Sequence, residues 1–425
     1  MRRSAILLTL VLASLTLRAQ DRSVQSFRTE ANYIRVDMYP TLDGRPVDDL
    51  QASEVEIADQ GRPQKIDRFE RINRRGAQPQ PGARVESATV AAAPAADVPG
   101  RIFVLFLDSN HVDGNWARGI SQPLINALNA LIKEGDLIAV MTADTNPRNL
   151  RFTPRTASIA NVLKGDWGRD RRLDLTPEET EFVRCYPDTV VETDDNSRQM
   201  GIAQELILRR REQRTLDALD GLVDRLAALQ REERKAVITI SYGWRLFEED
   251  DGLGRSTDLR KPSGIIRATP QCESARASLS TFRSEPRFRD ILDRANRTNT
   301  SFYPIDPRRV LVFDEDIVPA AGVGANPQIG LVEDRARQID RRTSLLTMAD
   351  MTDGLALVNS SQIDAGLQRI NDDLSSYYLI GFYSTQKPDG KFHKLTVRIN
   401  RKGVVARARR GYLASTTTAS TAAKP

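Results

Sequence analysis

Six apolar residues in a row, Ile102 to Leu107, run straight into Asp108. A run without polar alternation suits a strand buried on both faces, as at the centre of a parallel sheet. Around it the apolar positions switch period repeatedly. Ile120, Leu124, Leu128 and Leu131 recur at helical spacing, Gly135-Asp136 ends that helix, and Leu137 to Met141 is a second buried strand. Asn146-Pro147 turns the chain into an expected antiparallel edge strand, Asn149 to Phe152, and Ile159, Val162 and Leu163 predict a helix. Leu216, Leu219, Val223 and Leu226 mark a long amphipathic helix with a charged far face. Ala236 to Ile240 is the next strand, followed by a helix through Phe288, Ile291, Leu292 and Ala295 and a strand from Ser301 to Ile305. A short helix, Leu345 to Met351, and a last strand, Leu355 to Val358, lead to a final helix with Ile363, Leu367, Ile370 and Leu374 on one face. This alternation predicts an α/β region over 101–375 with a doubly wound, mainly parallel sheet covered by helices on both sides.

Both ends of the chain carry a different pattern. Tyr33 to Tyr39 alternates at period two, Asp43-Gly44 is a turn signal, and Val55-Glu56-Ile57 is a further short strand, so 24–72 reads as a small β unit of sandwich type. Ser376 to Ser384, Phe392 to Asn400 and Val404 to Leu413 read as three antiparallel strands over 376–413, suited to pack with the first unit. Residues 73–100 are rich in Ala, Pro and Gly and read as a linker; 414–425 is a Thr/Ala/Ser-rich tail expected to be disordered. Charged, unpatterned stretches near 165–200 and 248–280 read as insertions, and 311–335 as a loop.

Composition narrows the function classes. Residues 1–19 have a basic start, Arg2-Arg3, and an apolar stretch from Ala5 to Leu17 too short to span a bilayer after cleavage, the signature of a secretory signal. The expected mature chain is exported, periplasmic or extracellular, with no transmembrane segment. Net charge is +5, near +2 without Arg2, Arg3 and Arg18, too small to argue for nucleic acid. The arginine clusters at 169–172 and 209–211 lie among acids and read as solvated faces; that at 407–410 reads as an edge-protecting device or a contact for an acidic surface. The two cysteines, Cys185 and Cys272, favour a disulfide over separate thiols in an exported chain.

Three separated stretches resemble one family, the von Willebrand factor A-related proteins of the acidobacterial type. They are VDMYPTLDGRPVDDLQASEVEIADQGRPQKIDRF near the start, RIFVLFLDSNHV in the centre, and ADMTDGLALVNSSQIDAGLQRINDDLSSYYLIGFYS with DGKFHKLTVRI and ARRGYL near the end. The resemblance implies a von Willebrand A-like domain flanked by antiparallel β structure, and a role in protein–protein interaction or adhesion. It also implies a place to look for a metal-ion-dependent adhesion site, which needs D-x-S-x-S, a later Thr and a fourth-strand Asp, all oxygen ligands for a hard cation. This chain keeps Asp108 but has Asn110 and Val112 at the serine positions and Tyr242-Gly243 where Asp-Gly is expected; no counterpart of the Thr stands out. The expectation is a degenerate site without metal or other cofactor, with Asp108, Asn110, His111 and Tyr242 as binding residues and a protein partner. The plainer reading makes Asp108 a helix cap or an acceptor of backbone hydrogen bonds.

Two alternatives remain. A cation-dependent domain would hold Mg²⁺ or Ca²⁺ with ligands recruited from the insertion, such as Asp166, Asp170 or Asp188. A hydrolase would use Ser109 or Ser241 with His111, though no G-x-S-x-G elbow is present. His393, the second histidine, reads as exposed on a strand. The favoured expectation is therefore an exported, non-enzymatic interaction or adhesion protein with no catalytic residue.

Overall fold

A computed structural model describes residues 33–73, 100–154, 157–165, 167–168, 175–187, 190–191, 200–229, 234–254, 260–261, 264–265, 268–308, 327–387 and 389–414. The expected signal segment, nearly all of the expected linker and the tail beyond 414 lie outside the described residues. From the amino terminus come β1 (Tyr33–Leu42), β2 (Val55–Asp59), β3 (Arg62–Gln64) and β4 (Ile66–Asn73). Then follow β5 (Ile102–Leu107), α1 (Gly114–Leu131), β6 (Leu137–Thr142), α2 (Ala157–Lys164), α3 (Pro177–Cys185), α4 (Ile202–Ala227) and β7 (Lys235–Ile240). The middle region continues with α5 (Pro270–Ser280), α6 (Ser284–Arg297), β8 (Thr300–Ile305), α7 (Pro327–Met351) and α8 (Ile363–Ser375). The chain closes with β9 (Ser376–Tyr383), β10 (Phe392–Ile399), β11 (Val404–Ala408) and β12 (Gly411–Leu413).

The fold is mixed α/β: a parallel sheet flanked by antiparallel sheets. The parallel sheet has the order β8-β7-β5-β6. Its register sets Leu105 between Ile238 of β7 and Val140 of β6. All six residues of β5 are buried. Side chains alternate across a strand, and Phe103, Leu105 and Leu107 pack with α1, α2 and α8 on one face. Ile102, Val104 and Phe106 pack with α4, α6 and α7 on the other. That two-sided burial is why this strand shows no polar position, and each such side chain contributes about 1.5–3 kcal/mol by leaving water. The apolar positions at helical spacing in α1, α4, α6 and α8 are the ones that turn inward.

The other two sheets are antiparallel, and each takes strands from both chain ends, in the orders β11-β1-β9-β4 and β12-β10-β2-β3. Val36 and Met38 of β1, Ile57 of β2, Ile380 and Phe382 of β9 and Leu395 of β10 form a shared core. Neither end can bury its apolar positions without the other, so the β unit is built from both ends of the chain with the α/β region between them.

Several local expectations are corrected. Asn149 to Phe152 is not a strand: Pro147–Asn149 is a single 3₁₀ turn, and only Thr153 bridges to Ile138. Leu355 to Val358 contributes one bridge, Ile305 to Leu357. The helix ending at Met351 begins at Pro327, within the stretch expected to be loop. The charged insertions carry α3 and α5; Thr176 and Glu179 form a reciprocal cap at the start of α3 that periodicity does not reveal. Val404 to Leu413 splits into two strands that join different sheets. His393 is buried, not exposed: it packs against Tyr412, and Nδ1 lies 3.2 Å from the Tyr412 hydroxyl and Nε2 3.0 Å from Asp389.

The arginines are corrected too. Arg209 and Arg211 are buried, not solvated, and pair with Glu205 and Glu179 at 2.8 Å each. Arg407 donates to the carbonyls of Asp353 and Gly354 just past α7, and Arg410 pairs with Asp350 at 2.8 Å. Cations at a helix carboxyl end suit its partial negative charge. Here they join the β unit to the α/β region.

Candidate functional site

In open α/β sheets, ligands gather beyond the carboxyl ends of the strands where the strand order reverses. Here β5 is followed in sequence by its neighbour β6 on one side, and β7 and β8 then extend the sheet on the other. The reversal falls between β5 and β7, and these two strands deliver Asp108 and Ser241 to one point.

Asp108 is fully buried. Its carboxylate accepts from Ser241 Oγ at 2.6 Å, Trp244 Nε1 at 3.1 Å and Thr215 Oγ1 at 3.2 Å. His111 Nδ1 lies 2.9 Å from both carboxylate oxygens. Burial alone would raise the pKa of this acid. The attraction of the His111 ring and the hydrogen bonds from His111, Ser241 and Thr215 outweigh it and hold the group below the ordinary carboxylate value.

Each donor is placed by its own element. Thr215 comes from the inward face of α4 and also accepts from Asn110 Nδ2 at 3.1 Å. Among the described residues, Asn110 Oδ1 is buried without a hydrogen-bond partner. Trp244 arrives through Gly243, whose φ is +85° and where a Cβ would stand 2.0 Å from the Arg341 carbonyl oxygen. A side chain there would push the indole away from Asp108. The following turn holds Leu246 at a φ of +55° and is fixed by Glu212 of α4, whose carboxylate accepts from the amides of Arg245, Leu246 and Phe247.

The four expected binding residues separate into two groups. Asp108, Asn110 and His111 share one hydrogen-bonded cluster through Thr215. Tyr242 does not join it: its hydroxyl donates to Asp113 at 2.5 Å, its ring lies 4.1 Å under the Arg308 guanidinium, and Asp113 caps α1. Among the described residues, the Asp108 carboxylate therefore neither caps α1 nor accepts from a backbone amide; only its carbonyl does, from His111 and Val112. All four side chains are buried. Thr215, Trp244 and Glu212 belong to the site and escaped sequence reasoning. The signal for two of them lies in α4, where Glu212 and Thr215 occupy the apolar stripe that continues through Leu216 and Leu219.

The donor set does not fit a divalent cation. A hard cation needs oxygen lone pairs turned toward it, and both carboxylate oxygens of Asp108 already accept from protein groups. The Trp244 N–H is a donor only. Asp166, Asp170 and Asp188 lie outside the described residues. The Glu181, Cys185 and Cys272 grouping offers ligand types close together, but its sulfurs are joined to each other. Ser241 and His111 each bond to Asp108, and Ser109 bonds to Asp144 at 3.2 Å. A nucleophile–base pair needs the serine on the histidine.

The insertions form a lobe beside this cluster. Phe182, Tyr186, Leu206, Leu253 and Leu279 make its core, closed by the Cys185–Cys272 disulfide with a Cα separation of 6.6 Å, inside the range that the bond allows. Glu179 of α3 holds Arg211, whose carbonyl is 3.5 Å from Asn110 Nδ2. Gly168 lies so near the Asp113 carbonyl that a Cβ would be 2.8 Å from it. The lobe thus abuts the site from the α4 side and from the start of α1.

No protein family and no curated protein matches the sequence. Among solved structures, the human COPII-coat protein Sec24c is similar over 76% of this chain and 45% of its own, at 8% identity and a TM-score of 0.25. This chain thus spans less than half of that protein, and a likeness at that level carries no argument. Among the described residues, no helix is long and apolar enough to cross a membrane.

Proposed function

We propose that this is an exported, non-enzymatic interaction or adhesion protein of von Willebrand A-like type, doubly wound, in which protein hydrogen-bond donors stand where a cation would otherwise bind. The observation that carries this reading is the saturated Asp108 carboxylate at the strand-order reversal. Indole, imidazole and two hydroxyls occupy the lone pairs of an acid that would otherwise invite a metal, and they do so from rigid parts of the sheet and α4. Such a cluster fixes the loops around it without exchanging with solvent. The partner is a protein, met by the outer surface of the disulfide-closed lobe. Export is supported by the disulfide, a bond that persists in oxidising compartments.

The test is thermal unfolding of the mature protein after chelation, with and without Mg²⁺, Ca²⁺ and Mn²⁺. A ligand that binds only the native state raises the midpoint by mass action. No shift with any ion is expected. A shift that disappears in Asp108→Ala would overturn the reading in favour of cation-dependent adhesion. Labelling of folded protein by a serine-reactive probe, lost in His111→Ala, would overturn it in favour of a hydrolase.

A further inference from the structure

The β unit meets the α/β region at the amino ends of the parallel strands, and Asp353 lies in the joint. It follows the last turn of α7 with a φ of +55°, the left-handed conformation in which helices prefer to end on Gly or Asn. The Gly354 amide donates back to the Ala349 carbonyl at 2.9 Å and closes the turn. An acid here also faces the negative end of the helix.

Its neighbours bind the wrong atom to relieve it. Arg234, leading into β7, donates Nη2 to the Asp353 carbonyl at 2.7 Å, and Arg407 of β11 donates to the same oxygen at 3.1 Å. Among the described residues none donates a hydrogen bond to the Asp353 carboxylate. The charges facing it are Arg234 from the α/β region, Arg407 and Arg410 from the β strands, and Asp350 from α7. A second acid, Asp37 of β1, borders the same narrow polar cleft and faces Arg234, Arg409 and Arg35. Arg234 lies over the Tyr39 ring at 4.1 Å and is 5.7 Å from that of Tyr303; Arg407 pairs with Asp373. Burial outweighs the arginines and pushes the Asp353 carboxyl up to about 6, and it raises Asp37 as well.

We infer that this joint is a pH-sensitive coupling, in which a proton taken up by Asp353 tightens the β unit against the α/β region in mildly acidic surroundings. The inference is independent of the proposed function. Its sign follows from linkage: with the folded value raised, the native state holds a proton between pH ~4 and ~6 that the unfolded chain has released. The contribution of this group to stability therefore grows as pH falls through that window. The shift corresponds to roughly tenfold to a hundredfold in the folding equilibrium, the lower figure allowing for partial exposure.

Thermal and urea unfolding of the full mature chain and of Asp353→Asn, from pH 4.5 to 8, tests this. The variant is expected to be more stable at pH 8, with the gap closing toward pH 4.5. Asp353→Gly, which also relaxes the backbone, should show the same closing gap on a constant offset. Asp350→Asn, at an exposed neighbour, should leave it in place. After correction for intrinsic rates, amide exchange in 404–408 should be slower at pH 5.5 than at 7.5 in the parent, and the difference should shrink in Asp353→Asn, with Asp37 accounting for what is left. A gap constant with pH would overturn the inference, as would exchange in 404–408 that does not respond to pH in the parent.

Discussion

Two aspartates at opposite ends of the parallel sheet meet opposite fates. Asp108, at the carboxyl end, is fully buried and its pKa is lowered. Asp353, at the amino end, is only partly buried and its pKa is raised. Burial therefore does not rank them. What differs is which atoms the neighbours reach: four side chains donate to the carboxylate of Asp108, whereas Arg234 and Arg407 reach the backbone oxygen of Asp353. A buried charge is stable when its own lone pairs are met, and nearby opposite charge is a poor substitute.

The largest effect should come from removing the satisfied acid. Asp108→Ala leaves Trp244, Ser241, Thr215 and His111 without their common acceptor, and breaking such a buried set costs about 3–5 kcal/mol. Urea unfolding at pH 7 measures it. Because the folded pKa is depressed, the contribution of this carboxylate is fully present above the unfolded value of about 3.9 and is lost as pH falls through the folded one. The destabilisation by Asp108→Asn should accordingly shrink on acidification below pH ~4. An equal deficit at pH 7 and pH 3 would mean that the carboxylate charge is not what the cluster stabilises.

Next in size is the disulfide. Cys185 and Cys272 are 87 residues apart, and losing a bridge over such a loop costs about 2–5 kcal/mol. The Cys185→Ser/Cys272→Ser double variant should loosen the lobe first, seen as faster amide exchange in α3 and α5 while β5 and β7 stay protected. Uniform loss of protection would show that the lobe and the sheet are one cooperative unit. Trp244→Phe should then cost about 1–3 kcal/mol, since it removes one donor from Asp108 and keeps a ring against Phe288, whose centroid lies 5.6 Å away. A neutral result would place the stability of the cluster in His111 and the hydroxyls.

The parallel strands and the apolar faces of α1, α4, α6 and α8 were legible because each announces itself by period. β5 is apolar throughout since both its faces are covered, and Asp108 stood out as the first polar residue after it. The partners of Asp108 were legible only in part. His111 and Ser241 sit in the strand-end segments where a site was sought. Thr215 and Glu212 were hidden within a helix read as amphipathic, as two polar residues on the face that turns inward. Trp244 depends on a turn at Gly243 that only a three-dimensional neighbour, the Arg341 carbonyl, makes necessary. The buried pairs Arg209–Glu205 and Arg211–Glu179 look in sequence like any charged helix surface, since a salt bridge has no period. The joint at Asp353 was invisible for the same reason, its arginines coming from segments 173 residues apart.

Tyr242 offers the smallest and most discriminating change. Its place after β7 marked it as a member of the Asp108 cluster, yet its hydroxyl bonds to Asp113 and accepts from the Asp113 amide at 3.2 Å. Tyr242→Phe should therefore act on the start of α1 and leave Asp108 alone. The expected cost is about 0.5–1.5 kcal/mol, because the two hydrogen bonds lost are to a half-buried helix cap that water can reach. Combined with Asp108→Ala it should add without interaction, as sites that share no partner do. A coupling energy above about 0.5 kcal/mol in that double-mutant cycle would put Tyr242 back into the cluster. It would also make the two carboxylates, Asp108 and Asp113, one network spanning the strand-order reversal.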